Sequence, residues 1–217
     1  MKGDKIIIQP HHERAARQAA EFMLPELQRS SKPVIITVAG ESGAGKSEIA
    51  EALAEVFAEN GIESAILQQD DYFVYPPRTN EARRRDDIYW VGTSEVRLDL
   101  MDMNIREIKD GATSVTKPLV DFDADSIGEE RLEIGEVDVV LVEGTYTTAL
   151  ENADRRVFID RTYVDTRDAR ALRAREEQDD FLERVLSIEH DIISSHKPRA
   201  DYIVTRDYNV IENEPKA

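Results

Sequence analysis

Val34-Ile35-Ile36-Thr37-Val38-Ala39-Gly40-Glu41-Ser42-Gly43-Ala44-Gly45-Lys46-Ser47 is the stretch on which the fold turns. Its first six residues are an unbroken β-branched and small apolar run, the composition of a parallel strand buried on both faces. The next eight satisfy G-x-x-x-x-G-K-[ST]. Glycines in such a loop let backbone N–H groups converge on phosphate oxygens, and the helix behind it adds the positive end of its dipole. Gly40, Glu41, Ser42, Gly43, Ala44, Gly45, Lys46 and Ser47 are therefore the expected nucleotide-binding loop. Lys46 is expected to reach the β- and γ-phosphates, and the Ser47 hydroxyl to ligate Mg²⁺. Behind the loop Ile49, Leu53, Val56 and Phe57 mark one face of a helix that Asn60-Gly61 should stop.

Outward from this unit, Ala65-Ile66-Leu67 reads as the next strand, ending at Gln69-Asp70-Asp71, and residues 74–92 as a Pro- and Arg-rich loop. A helix is predicted from about Ser94 to Asp110. Strands are predicted at Ser114 to Val120, Arg131 to Ile134, Val137 to Val142 and Val157 to Ile159. Helices follow at about Thr166 to Arg175 and Phe181 to Ser195, then a strand at Tyr202 to Thr205. Strands alternating with helices predict an α/β fold of the P-loop NTPase type, a mainly parallel sheet with helices on both faces and a small helical lid. Residues 1–33 read as a helical extension packed on the core, with Ala16, Ala20, Met23 and Leu27 at helical spacing and a kink or split at Pro25. The organisation expected is a single domain over 1–217, with the lid at about 167–180.

Composition narrows the function classes. With 41% hydrophobic and 34% charged residues the chain is neither disordered nor membrane-spanning in profile, and no apolar run approaches the roughly 18 residues that cross a bilayer. A cytoplasmic protein is expected. The absence of cysteine excludes thiolate metal sites and cysteine nucleophiles. A net charge of −17 argues against a nucleic-acid partner, the lack of a long apolar run against a membrane, and a homodimer is compatible with the reading. Against that acidity two arginine clusters stand out: Arg78 with Arg83, Arg84 and Arg85, and the seven arginines from Arg155 to Arg175.

Three further features carry chemistry. Asp138-Val139-Val140-Leu141-Val142-Glu143-Gly144 is a hydrophobic strand that delivers an acid at its carboxyl end, where Glu143 is expected to hold Mg²⁺ or its waters. Asp70 and Asp71 end the strand after the loop, on the same sheet edge, and one of them fits the general base that takes a proton from an acceptor hydroxyl. Arg78, Arg83, Arg84 and Arg85 follow closely, with Glu81, Asp86 and Asp87 interleaved, and read at least as well as a solvated ion-paired loop as they do as a clamp for an anionic acceptor, for which Arg83 and Arg84 are the candidates. Tyr89-Trp90 reads as an anchor for that loop in preference to a substrate wall. Asp121, Asp123 and Asp125 do not make a calcium loop, because the sixth position is Ser126 and the twelfth Leu132. His11, His12, His190 and His196 lack metal-ligand spacing. A loop of this kind also occurs in motor ATPases, so a nucleotide-driven switch is the competing class.

Taken together, the motifs resemble the uridine kinase and phosphoribulokinase family of P-loop kinases, over about Pro33 to Asn209. The resemblance rests on residues 39–47, Gln69-Asp70-Asp71-Tyr72-Phe73, Pro118-Leu119-Val120-Asp121-Phe122, Val139 to Gly144, Val164-Asp165-Thr166-Arg167 and Arg199-Ala200-Asp201-Tyr202-Ile203-Val204, in family order. It implies ATP and Mg²⁺ as cofactors and a small-molecule hydroxyl as acceptor. It also implies Asp70 as base and second metal contact, Asp71, Tyr72 and Asp121 at the substrate, and lid arginines, for which Arg170 and Arg173 share a helical face. Departures fall where a nucleoside would be read. Val120 stands where uridine kinases carry tyrosine, Asp125 near their histidine, and Val91-Gly92-Thr93 in place of His-Pro-Asp, which points away from uridine itself.

Overall fold

The computed structural model describes residues 6–135, 137–173 and 179–213, without the side chains of residues 169, 172 and 173. In chain order the elements are α1 (Pro10–Leu27), β1 (Val34–Gly40), α2 (Lys46–Glu59), β2 (Ser64–Gln68), α3 (Pro77–Asp86), α4 (Leu98–Lys109), β3 (Ser114–Asp121), β4 (Ser126–Glu133), β5 (Val139–Gly144), β6 (Arg155–Ile159), α5 (Arg167–Arg173), α6 (Asp180–Ser194), β7 (Tyr202–Val204) and β8 (Val210–Glu212). Six strands form one sheet in the order β2-β5-β1-β6-β7-β8, parallel except for β8. Every residue of β1 and β5 is buried. Val34, Ile36 and Val38 of β1 join one core with Leu53 and Phe57 of α2, while Ile35 and Ala39 join the other with Met101 and Ile105 of α4. Both faces of the central strands are thus covered, which is why their sequence is continuously apolar rather than alternating. Each buried Leu, Ile or Phe of these layers contributes on the order of 1.5–3 kcal/mol.

Helix α1 lies against α2 through Ala15, Ala16, Ala19 and Ala20, whose small side chains let the two helices approach closely. The predicted kink is corrected: α1 runs unbroken to Leu27, and Pro25 falls in its last turn, where a lost hydrogen bond disturbs little.

Three other expectations change. Residues 74–92 were expected as a loop, but they carry α3 and a 3-10 turn at Ile88–Trp90. Asn80 is the buried residue of α3, so this helix has no apolar stripe to announce it. The helix expected from Ser94 begins at Leu98, after a 3-10 turn at Thr93–Glu95. Strands β3 and β4 do not join the main sheet; they pair antiparallel as a separate hairpin, Ser114 opposite Glu133 and Asp121 opposite Ser126.

That hairpin is tied to the sheet edge. Asp71, in the 3-10 turn Gln69–Tyr72 after β2, accepts hydrogen bonds from Lys117 Nζ at 2.7 Å and Val120 N at 3.1 Å. At the far end Asp125 accepts from Arg78 N at 2.7 Å and Thr79 Oγ1 at 3.0 Å, satisfying the open N-terminus of α3. The hairpin and α3 thereby form one wall in front of the carboxyl edge of the sheet.

Candidate active site

Strand register brings the chemistry together. Glu143 of β5 lies beside Val38 of β1 on one side and Gln68 of β2 on the other. The phosphate loop leaves β1 just beyond the first contact, and Asp70 stands just beyond the second. Ser47 Oγ donates to Glu143 Oε1 at 3.1 Å, and Lys46 Nζ to the Glu41 carbonyl at 3.1 Å. Ser42, Gly43, Lys46, Ser47, Asp70 and Glu143 all line one cavity of about 230 Å³.

Backbone shape explains two of the glycines. Gly45, at φ +97, caps α2, and a Cβ there would stand 2.9 Å from His12 Nε2 of α1. The extension helix therefore backs the phosphate loop. A Cβ on Gly144 would stand 2.2 Å from Gln69 Cβ. Its absence lets Gln69 pass beneath the end of β5 and accept from Tyr146 N at 2.7 Å, fixing the turn that carries Asp70.

The Glu143 carboxyl is pushed up to about 7, first by burial and then by the Asp70 charge, with Lys46 and the Ser47 hydrogen bond opposing. A hydroxyl and a buried carboxylate side by side, with a second carboxylate nearby, form an all-oxygen donor set that fits Mg²⁺. That ion keeps waters and substrate phosphates as its remaining ligands. The same shift fixes a stability prediction. The folded value lies above the ordinary 4.5, so stability from this group is complete below pH 4.5 and is lost as pH rises through about 7. Glu143→Gln, in protein without Mg²⁺ or nucleotide, is expected to raise Tm at pH 8 by several degrees, given roughly 2–4 °C per kcal/mol at this size. The gain should vanish below pH 4.5. An equal or lower Tm at pH 8 in thermal melts would contradict the buried-charge account.

The two neighbouring aspartates point apart. Asp70 lines the cavity, whereas buried Asp71 holds the hairpin as described, which corrects its expected place at the substrate. Tyr72 is corrected likewise: it is fully buried, donates to Asn104 Oδ1 at 2.9 Å, and burial pushes its hydroxyl well above the usual range. Asp121 accepts from Ala124 N at 2.9 Å within the hairpin turn, while its neighbours Val120 and Phe122 face the cavity.

The arginines separate in the same way. Arg83 is exposed, its guanidinium 5.8 Å from the Trp90 ring centroid and off the cavity wall. Arg84 does line the cavity, yet it is tied to Glu95 through Nε and Nη2, the latter at 2.7 Å, and to Glu189 at 3.1 Å. Burial works against its charge, but the two carboxylates outweigh it and hold the guanidinium above its ordinary value. Trp90 donates to Asn80 Oδ1 at 2.9 Å and anchors the segment, while Tyr89 is 92% exposed.

Arg170, expected as a lid arginine, packs against the phosphate loop at Gly43. A Cβ on Gly43 would meet its Cγ at 2.8 Å, and its Nη1 donates to Thr166 Oγ1 at 2.7 Å and to the Tyr163 carbonyl. Thr166 Oγ1 in turn donates to the Ser42 carbonyl at 2.8 Å. The Arg173 side chain, and residues 174–178 of the expected lid, lie outside the described residues.

One pairing had no sequence signal. Glu41 in the phosphate loop is buried, accepts from Tyr163 N, and lies 2.6 Å from His190 Nδ1 of α6 across 149 positions of sequence. His190 thereby belongs to the loop's support.

The profile of the phosphoribulokinase / uridine kinase family matches residues 35–204. The bifunctional α-galactosidase/sucrose kinase of Mediterraneibacter gnavus is 29% identical over 82% of this chain, which spans 21% of that protein's length. The uridine kinase of Ureaplasma urealyticum is 27% identical over 73% of this chain and 77% of its own. Among solved structures, D-glycerate 3-kinase from Cryptococcus neoformans superposes with a TM-score of 0.62 at 16% identity, over 93% of this chain and 99% of that one, a likeness of fold.

Proposed function

Because the chain belongs to the phosphoribulokinase / uridine kinase family and is on that footing an ATP-dependent small-molecule kinase, we propose that it moves the γ-phosphate of ATP onto a hydroxyl of a small metabolite by direct in-line transfer. The observation that carries this reading is the shared cavity. Lys46, Ser47, Glu143 and Asp70 meet at one end of it, and a chamber walled by α3, α6 and the β3–β4 hairpin extends beyond Asp70.

In this reading the loop amides and Lys46 hold the triphosphate, and Lys46 offsets charge that develops on the transferring group. Ser47 and Glu143 would hold Mg²⁺, with Asp70 as its further contact, and the ion would supply charge neutralisation at the phosphates. Asp70 orients the acceptor hydroxyl and takes its proton as the new O–P bond forms and the bond from Pγ to the β–γ bridging oxygen breaks, leaving ADP. The relatives' names specify sucrose and uridine, two neutral hydroxyl-bearing molecules, which supports a hydroxyl acceptor without choosing between them. A cytoplasmic setting, where ATP is abundant, is part of the proposal; among the described residues no helix is long and apolar enough to cross a membrane.

The test is ADP release with ATP and Mg²⁺ in the presence and absence of small acceptors. Stimulation of at least tenfold by an acceptor is expected. Slow hydrolysis that no small acceptor changes would overturn the reading in favour of a nucleotide-driven switch.

A further inference from the structure

The phosphate loop carries a carboxylate of its own. Ser42, Gly43, Lys46 and Ser47 face the cavity, but the Glu41 side chain lies off its wall and is 7% exposed. A carboxylate turned toward that cavity would repel a triphosphate, because like charges a few ångströms apart in a part-buried site interact strongly. Something has to hold it elsewhere. Among the described residues its oxygens have two partners: Oε2 accepts from Tyr163 N, and Oε1 lies 2.6 Å from His190 Nδ1. A carboxylate only accepts, so Nδ1 carries the proton of that bond.

Both partners are themselves held in place. Tyr163 belongs to the segment between β6 and α5, which grips the next loop residue as well, Thr166 Oγ1 donating to the Ser42 carbonyl at 2.8 Å. The Tyr163 ring meets His190 edge-on, 5.8 Å between centroids, and limits how the imidazole can turn. His190 rides on α6, which buries Leu182, Val185, Leu186 and Ile193. Glu41 is also the residue whose carbonyl accepts from Lys46 Nζ at 3.1 Å, so side-chain anchor and lysine seat coincide. Without the imidazole, the carboxylate would keep one backbone N–H as its partner. That is too little for a buried charge, and the side chain becomes free to take rotamers that face the cavity.

We infer that His190 is a positioning residue for the nucleotide: it acts through Glu41, holding that carboxylate on the side of the loop away from the cavity and so out of the field of the triphosphate. The inference rests on the nucleotide half of the proposed function and is independent of the acceptor.

The experiment is calorimetric titration of the full chain with ATP and Mg²⁺ in the absence of any acceptor, with a thermal melt of each variant. His190→Ala is expected to raise the Kd for ATP at least fivefold. His190→Asn, whose amide N–H can stand near the place of Nδ1, should stay within about threefold of wild type. Made on a Glu41→Gln background, where there is no charge to release, the same His190→Ala change should cost less than twofold. A purely structural role for the imidazole would give the same loss on both backgrounds, and that result would overturn the inference, as would a loss below fivefold in His190→Ala itself. Should the alanine variant melt below the assay temperature, His190→Asn against His190→Gln decides: asparagine should bind ATP at least fivefold more tightly, and equal affinities would overturn the inference. Wild-type chain that binds no ATP would overturn the nucleotide reading along with it, whereas failure of every acceptor in the ADP-release assay would overturn only the kinase reading.

Discussion

Replacing Lys46 by alanine is expected to lower acceptor-dependent ADP release by about 10³-fold or more. Removing one preorganised group aimed at transition-state charge costs 10²–10³ in kcat, or roughly 3–4 kcal/mol, in comparable sites. Lys46 combines that position with a full positive charge, beside Ser47, Asp70 and Glu143 on the same cavity wall. Its bond to the Glu41 carbonyl is one hydrogen bond within the loop, so loss of the ammonium should leave the fold intact. Because Lys46 also faces phosphates in the ground state, the KM for ATP should rise as kcat falls. The measurement is steady-state ADP release alongside a thermal melt. A drop smaller than tenfold with an unchanged melt would remove Lys46 from its role.

The second large effect concerns Asp70→Asn. A positioned general base contributes about 10²–10⁴-fold, and asparagine keeps the shape and one acceptor oxygen while losing the ability to take a proton. We expect a loss of that size in kcat with the KM for ATP within about threefold. The substitution also removes the negative charge that helps push the Glu143 carboxyl up to about 7, so that carboxyl should titrate lower in the variant. Titration of Glu143 by NMR without nucleotide reads this second effect independently of activity. Wild-type turnover in the variant would end the base assignment. Asp71→Asn is the contrasting control: it loosens the hold on Lys117 and Val120, so it should act first on the melting temperature.

The parts of this molecule that were legible in its sequence are those whose cause is local. β1, the loop and α2 follow one another without interruption, and each has a composition that few other structures accept. Glu143 and Asp70 were legible because strand ends in a parallel sheet share an edge, so sequence position converts directly to spatial position. Two consecutive aspartates posed a harder question, and the 3-10 turn that carries both answered it by sending one to the cavity and one to the hairpin. Tyr72 was placed at the substrate by the family resemblance, with no local signal for its actual partner, Asn104, which comes from α4. α3 was invisible for want of an apolar stripe, and β8 because three residues with one buried side chain make no pattern. The arginine cluster proved ion-paired, one of its two readings, but its particular partners were not legible: Glu95 and Glu189, which pair with Arg84, lie 11 and 105 positions away.

Helix α6 places Glu189 at the acceptor chamber and, one residue later, His190 on the phosphate loop through Glu41. On the proposed function, one element therefore touches both substrates' surroundings. Any shift of α6 that one substrate favours must alter the affinity for the other, and thermodynamic linkage requires the factor to be the same in both directions. The position of α6 would then be one mechanical variable shared by the two binding equilibria.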